Sequence, residues 1–113
     1  MSPAFQALLE RCAALPGLGA FCLRGPDLSF HHHLGADWFK PPQLQKMLSQ
    51  LAAALDGLRE REINAVHACW VFEHARIFVA QRDDGTVLAL FAENRSSLPL
   101  ADYQEALDDF IQL

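Results

Sequence analysis

Three consecutive histidines, His31-His32-His33, are the residues of this chain that most readily suggest chemistry. On a β-strand, His31 and His33 would lie on the same side and could together chelate a transition metal. No carboxylate or cysteine stands at a fixed spacing beside them to complete such a site. A solvated edge strand accounts for the run more simply, and a pH-sensitive edge is a third alternative. We therefore predict no metal site and no cofactor.

The three cysteines, Cys12, Cys22 and Cys69, are an odd number and form no CxxC pair. This usage is typical of buried, reduced thiols in a cytosolic protein. His67 stands two residues from Cys69 and would share its side of a strand, but a nucleophile also needs an exposed, electropositive pocket. We expect Cys69 to be a small buried side chain beside an interfacial histidine.

Known catalytic and nucleotide-binding motifs are missing from the sequence. Gly17-Leu18-Gly19 lacks the third glycine and the downstream acid of a dinucleotide-binding loop. The sequence contains no phosphate loop, serine elbow or HExxH motif. We therefore predict that the chain is not an enzyme and that any nucleotide is bound by a partner.

Trp38 and Phe39 lie in a predicted loop between Gly35 and Pro41-Pro42, residues that interrupt helices and strands. These two aromatic side chains could form an exposed anchor for a partner, since aromatic residues are enriched at interaction hot spots. They could equally fold back under the helix that follows. The sequence leaves both alternatives open.

The last helix carries an acidic face with no cation of its own to balance it. Such a face is usually solvated, although a basic partner surface would also fit it. The residues are Asp102, Glu105, Asp108 and Asp109.

Composition limits the classes of protein to which this chain can belong. At 113 residues, with 51% hydrophobic and 20% charged residues, the sequence predicts one globular domain over residues 1–113. The net charge of −5 and the scattered cations exclude a nucleic-acid footprint. The first residues, Met1-Ser2-Pro3-Ala4, lack the basic and apolar regions of a signal peptide, and no apolar run reaches the roughly 18 residues of a membrane span. We expect a cytoplasmic protein without membrane insertion.

The hydrophobic periodicity and the turn signals predict eight elements in the order α-β-β-α-β-β-β-α. Apolar residues lie on both sides of the third and fifth strands, so we expect helices to cover both faces of the sheet. The predicted class is α/β, a central five-stranded antiparallel sheet with the second helix on one face and the first and third helices on the other. The predicted helices are Pro3–Leu15, Pro42–Glu62 and Pro99–Leu113, and the predicted strands are Leu18–Arg24, Leu28–Leu34, Ala65–Glu73, Arg76–Arg82 and Thr86–Ala92.

Two segments carry a family resemblance. The first helix runs from Leu8-Leu9-Glu10 into the turn Leu15-Pro16-Gly17-Leu18, and a three-strand meander extends from Val66 to Ala92. With this order and length, the chain resembles the roadblock / dynein light chain family, whose first helix ends in a similar turn. The resemblance covers essentially the whole chain and implies the same roadblock-like fold.

The resemblance also implies a homodimer, or a heterodimer with a homologous chain. It implies that the third strand is a sheet edge that pairs with the partner copy, with the long second helices side by side. It further implies a non-catalytic adaptor or regulator of a small Ras-like GTPase in signalling, polarity or motility. The predicted dimer interface is Leu44, Met47, Leu48, Leu51, Leu55, Val66, Ala68 and Trp70, and the predicted partner-binding residues are Gln43, Lys46, Gln50, Trp38 and Phe39.

Two other functions stay open. Chaperones of type III secretion are also small, acidic and dimeric and mix helices with a sheet, but the tight turn after the first helix and the uninterrupted meander argue against this class. The second alternative is a sensor domain with a pocket for a small ligand. A bound effector segment would identify a chaperone, and a bound small molecule would identify a sensor domain.

Overall fold

The predicted order of elements is confirmed by the computed structural model, which describes residues 2–63 and 67–113. Within these residues, no helix combines the length and the apolar character needed to cross a membrane. The helices are α1 (Pro3–Ala13), α2 (Pro41–Glu60) and α3 (Leu100–Gln112), and the strands are β1 (Leu18–Arg24), β2 (Phe30–Leu34), β3 (His67–Val71), β4 (Ala75–Gln81) and β5 (Val87–Glu93).

The five strands form one antiparallel sheet in the order β2-β1-β5-β4-β3, so β2 and β3 are its two edges. The central pair is β1 with β5, in which Phe21 lies opposite Leu90. Except at Leu18, Arg24 and Glu93, these two strands are buried at the centre of the sheet, although nearly 70 positions separate Phe21 from Leu90 along the chain.

Two apolar layers form the core, one on each face of the sheet, and this confirms the predicted placement of the helices. On the α2 face, α2 packs on alternate residues of β1, β4 and β5, including Cys22, Val79 and Ala89. On the opposite face, called here the α1/α3 face, both other helices pack on Phe21, Phe78 and their neighbours. The strands alternate between the two layers because successive side chains of a strand lie on opposite faces.

The first helix and its turn form for local reasons. The Ser2 hydroxyl accepts a hydrogen bond from the Phe5 amide at 3.2 Å and caps the helix, and Pro3 occupies a first-turn position where no amide hydrogen is needed. After the helix, Gly17 adopts a φ of +80°, which a residue with a Cβ rarely takes. This turn brings the chain directly into β1.

Two predicted strand boundaries were wrong by two residues, and those of the fourth and fifth strands differ by one residue at each end. Strand β2 begins at Phe30 and not at Leu28, because Leu28 has a φ of +65° in the turn after Gly25. Strand β3 ends at Val71 and not at Glu73, because the Phe72 amide donates to the Ala75 carbonyl and closes the hairpin. The predicted start of the third strand, at Ala65, lies outside the described residues.

Candidate interaction surface

Strand β3 is an open edge whose two sides differ. Ala68 and Trp70 are half-buried and pack on the core of the α2 face. On the α1/α3 face, His67, Cys69 and Val71 are exposed, with Val71 60% accessible. Helix α3 approaches this side of β3 at His67, where the Asp108 Oδ1 lies 3.8 Å from the imidazole Nε2.

The Asn94 side chain forms hydrogen bonds with both sides of the hairpin that follows β3. Its amide nitrogen donates to the carbonyl oxygen of Phe72 at 2.7 Å, and its oxygen accepts from the Arg76 guanidinium at 3.2 Å. These bonds fix the hairpin while leaving the Phe72 side chain 51% exposed. The edge and its hairpin therefore expose two neighbouring apolar side chains, those of Val71 and Phe72.

Helix α2 carries the predicted seam residues on two different sides. Leu44, Leu48 and Leu55 are fully buried against the chain's own sheet, so they offer no surface to a second copy. Met47 and Leu51 are half-buried at the margin of the same layer. The dimer interface predicted for this helix therefore rests on Met47 and Leu51.

The other residues predicted from the sequence fall into three groups. Lys46 and Gln50 lie exposed on α2. Gln43 is also exposed, but its side-chain oxygen accepts the Lys40 amide at 2.9 Å and so caps the helix. Val66 lies outside the described residues.

Trp38 and Phe39 each match one of the two alternatives that the sequence left open, an exposed anchor for a partner and packing under the following helix. Phe39 packs on Phe91, with 5.4 Å between ring centroids, as part of the α2-face core. Trp38 lies against the backbone of Gly19 and keeps 40% of its surface exposed. Only Trp38 is therefore placed to contact a partner extensively.

The two rings line a cleft of about 480 Å³ that also takes in the end of β5 and the β3–β4 hairpin. Its remaining lining residues are His74, Ala75, Glu93, Asn94 and Arg95. No pattern in the sequence indicates this group, because the fold brings it together from three separate segments. The Arg95 guanidinium pairs with the Glu93 carboxylate at 3.0 Å, so the cleft has a charged rim beside an aromatic wall.

Comparison with known proteins identifies this arrangement. No protein-family model and no curated protein matches the sequence. Among solved structures, MglB of Myxococcus xanthus is 12% identical, with 97% of this chain and 94% of that chain covered and a TM-score of 0.72. A Roadblock/LC7 domain from Streptomyces avermitilis is 16% identical, with 88% of each chain covered and a TM-score of 0.64. The chain has the roadblock/LC7 fold.

The same fold occurs in the gliding protein MglB from Thermus thermophilus, which is 14% identical. There, 99% of this chain and 91% of that chain are covered, and the TM-score is 0.68. The predicted roadblock-like resemblance and fold class are thus confirmed.

The thiols of this chain are poorly suited to nucleophilic chemistry. Burial raises the pKa of Cys12 to about 11, against a smaller opposing effect of Arg11, and it raises that of Cys22 to about 12. Cys69 is exposed, which corrects the prediction of a third buried thiol, because β3 is an edge. Even so, partial burial raises the pKa of Cys69, again against a neighbouring arginine. A thiol with a raised pKa is a weak nucleophile near neutral pH.

The acidic side of α3 is partly compensated by a cation from another helix. The Arg11 guanidinium of α1 reaches the Asp109 carboxylate at 2.6 Å, an ion pair between residues 98 positions apart. Sequence inspection of α3 alone could not find this partner, because it comes from the neighbouring helix. The other three carboxylates, those of Asp102, Glu105 and Asp108, belong to exposed residues.

Proposed function

We propose that this chain is a dimeric adaptor or regulator of a small Ras-like GTPase, without catalytic activity of its own. In this proposal a single roadblock-like domain acts in the cytoplasm and pairs with itself or with a homologous chain. The observation that carries the proposal is the apolar open edge β3, which continues into the exposed hairpin residue Phe72.

An edge of this composition favours a partner strand. Its unpaired backbone groups are a template for another chain, and proteins usually protect such edges with lysine, proline or a bulge. Strand β3 reads His-Ala-Cys-Trp-Val and contains none of these devices. Pairing with the same strand of a second copy would satisfy the backbone and cover Val71.

Helix α2 supplies the second part of the proposed dimer. Met47 and Leu51, one turn apart, are apolar residues with surface left to bury. Lys46 and Gln50 stay free to contact a third protein. Trp38, with two fifths of its surface accessible, extends that contact surface toward the end of β5.

The GTPase partner is inferred from the family resemblance, and the gliding proteins that share the fold support a role in polarity or motility. The raised pKa values of the three thiols make covalent catalysis by these cysteines unfavourable near neutral pH. Such a protein would act by holding a GTPase in one nucleotide state or by docking it to an assembly.

Light scattering of the purified chain tests the dimer. We expect the mass of two copies for the wild type and of one copy for Leu51→Asp, because a carboxylate cannot be buried unpaired in an apolar seam. Gln50→Asp places the same charge on the adjacent exposed position and should remain dimeric. Since Leu51 also touches the core, Val71→Lys on the exposed edge provides a second disruption with less risk to folding. An unchanged mass in both variants would contradict the proposed interface.

Affinity capture from a lysate, with a GTP analogue or with GDP, tests the partner. A small GTPase enriched only with the analogue, and then bound by the purified chain in calorimetry, would support the proposal. Trp38→Ala should weaken that binding without changing the mass of the dimer. Capture of an unfolded secreted effector in place of a GTPase would support a secretion chaperone instead.

A further inference from the structure

The histidine run forms the second edge of the sheet, and its side chains alternate between the two faces. His31 lies opposite Leu23 and His33 opposite Phe21, both on the α1/α3 face. His32 lies on the other face, where it stacks on Phe30 with 5.8 Å between ring centroids. One strand therefore presents two imidazoles side by side, with the third directed away from them.

The two imidazoles differ in how they are packed, but both are accessible. His33 stacks on the Phe21 ring, with 5.3 Å between centroids and 19° between the planes, and keeps part of its surface exposed. His31 is exposed and lines an open cleft with Asp27, whose carboxylate accepts the Ser29 amide at 3.1 Å. A stacked ring restrains one ligand, and a free ring can adjust to a metal ion.

One copy of the chain supplies too few ligands for a closed metal site. Zinc in structural sites is bound by four protein ligands, usually in tetrahedral geometry. Among residues 2–63 and 67–113, no group of three histidine, cysteine, aspartate or glutamate side chains is placed to hold a metal ion. Two further imidazoles must therefore come from another molecule.

A second copy can bring them, because the outer side of β2 is unpaired. Antiparallel pairing of two β2 strands around His32 sets His31 of each copy opposite His33 of the other. Cβ atoms lie about 5 Å apart across such a pair and roughly 6.6 Å apart along one strand at i, i+2. Each Cβ is then about 4 Å from the centre of the four, a distance that an imidazole ring and a Zn–N bond of about 2.0–2.1 Å can span.

We propose that His31 and His33 from two copies of the chain form a four-imidazole site for Zn²⁺ that joins two β2 edges. The strand has no lysine, arginine or proline to oppose the approach of a cation or of another strand. The Asp27 carboxylate beside His31 adds a favourable negative charge. This contact involves the edge opposite β3, so it is independent of the proposed GTPase function.

The test uses the purified chain after removal of metal with EDTA, titrated with zinc chloride and followed by light scattering and calorimetry. We expect one Zn²⁺ bound for every two chains, an increase in mass of at least twofold, and reversal by EDTA. The double variant His31→Ala/His33→Ala should lose both effects. His32→Ala, which removes a histidine from the other face, should retain both.

Because His33 also contacts the core, His31→Ala alone serves as a second variant that removes two of the four ligands with little effect on folding. Binding of one Zn²⁺ per chain without a change in mass would overturn the proposal. So would an equal loss of assembly in His32→Ala. The mass of the zinc-linked assembly also shows whether β3 is paired. The assembly stops at two copies if β3 is unpaired, and it grows beyond four copies if β3 already joins the chains in pairs.

Discussion

Gly19→Ala should displace Trp38 and destabilise the protein. A Cβ built on Gly19 would lie 2.3 Å from the Cε3 and Cζ3 atoms of the Trp38 ring and 3.0 Å from Cδ2. Carbon atoms pack best at about 3.5–4.0 Å, so the ring must move by roughly 1 Å or leave its place. The clash affects the aromatic residue that the proposed partner surface depends on.

The packing around Trp38 sets the scale of the effect. Overpacking of this kind costs about 1–3 kcal/mol. A larger loss follows if the ring is expelled: Trp38 is 40% exposed, and a tryptophan can bury up to about 250 Å², so about 150 Å² would be released at a cost of about 4 kcal/mol. We therefore expect the free energy of unfolding to fall by about 1–4 kcal/mol.

Urea unfolding followed by circular dichroism measures this loss, with Gly57→Ala as the matched control. Gly57 lies within α2, and a Cβ there would meet nothing within 4 Å, so its replacement should stabilise the helix by about 0.5–1 kcal/mol. In a Trp38→Ala background, Gly19→Ala should cost almost nothing, since the clashing ring is gone. An equal cost in both backgrounds would refute the assignment of the effect to Trp38.

Three further outcomes are expected. Burial raises the pKa of Tyr103, the chain's one tyrosine, to about 12, so the free energy of unfolding should fall between pH 10 and 12, where the tyrosine of the unfolded chain ionises first. Tyr103→Phe should remove this pH dependence in a series of urea melts. Near neutral pH the same variant should cost about 1 kcal/mol, because it loses the 2.8 Å hydrogen bond to the Pro16 carbonyl. Asn94→Ala should cost about 0.5–1.5 kcal/mol, because the exposed Phe72 carbonyl exchanges its 2.7 Å donor for water, with faster amide hydrogen exchange at the β3–β4 hairpin as the local readout. Leu48→Ala should cost about 2–5 kcal/mol in thermal unfolding through the cavity it leaves, whether or not the chain is dimeric.

The sequence predicted the fold well because the signals that determine it are local. The turn at Gly17 and the Asp84-Gly85 hairpin each lie within a few residues, and the structure shows them with φ values of +80° and +91° at the two glycines. The alternation along the histidine strand was also predicted correctly, since it needs only the period of two.

The interaction surface was less predictable because it depends on which apolar side of an element remains uncovered. Leu48 and Leu51 are the same residue type on one helix, yet the first is fully buried and the second is not. Periodicity cannot say which side meets the chain's own sheet when both sides are apolar. The contact between Trp38 and Gly19 could not be predicted from the sequence either, because a glycine does not indicate which side chain will pack against its backbone.

Helix α2 connects the two outermost strands, β2 and β3, which lie at opposite edges of the sheet. The chain is thus two halves joined by one connection, and they meet along the β1–β5 pair through the middle of the sheet. Leu8 of the first half shares a core layer with Phe110 of the second, so neither half can close its own interior. Fragments separated after α2 should therefore behave as complementary pieces that reassemble only with each other, and the intact chain should unfold in a single transition.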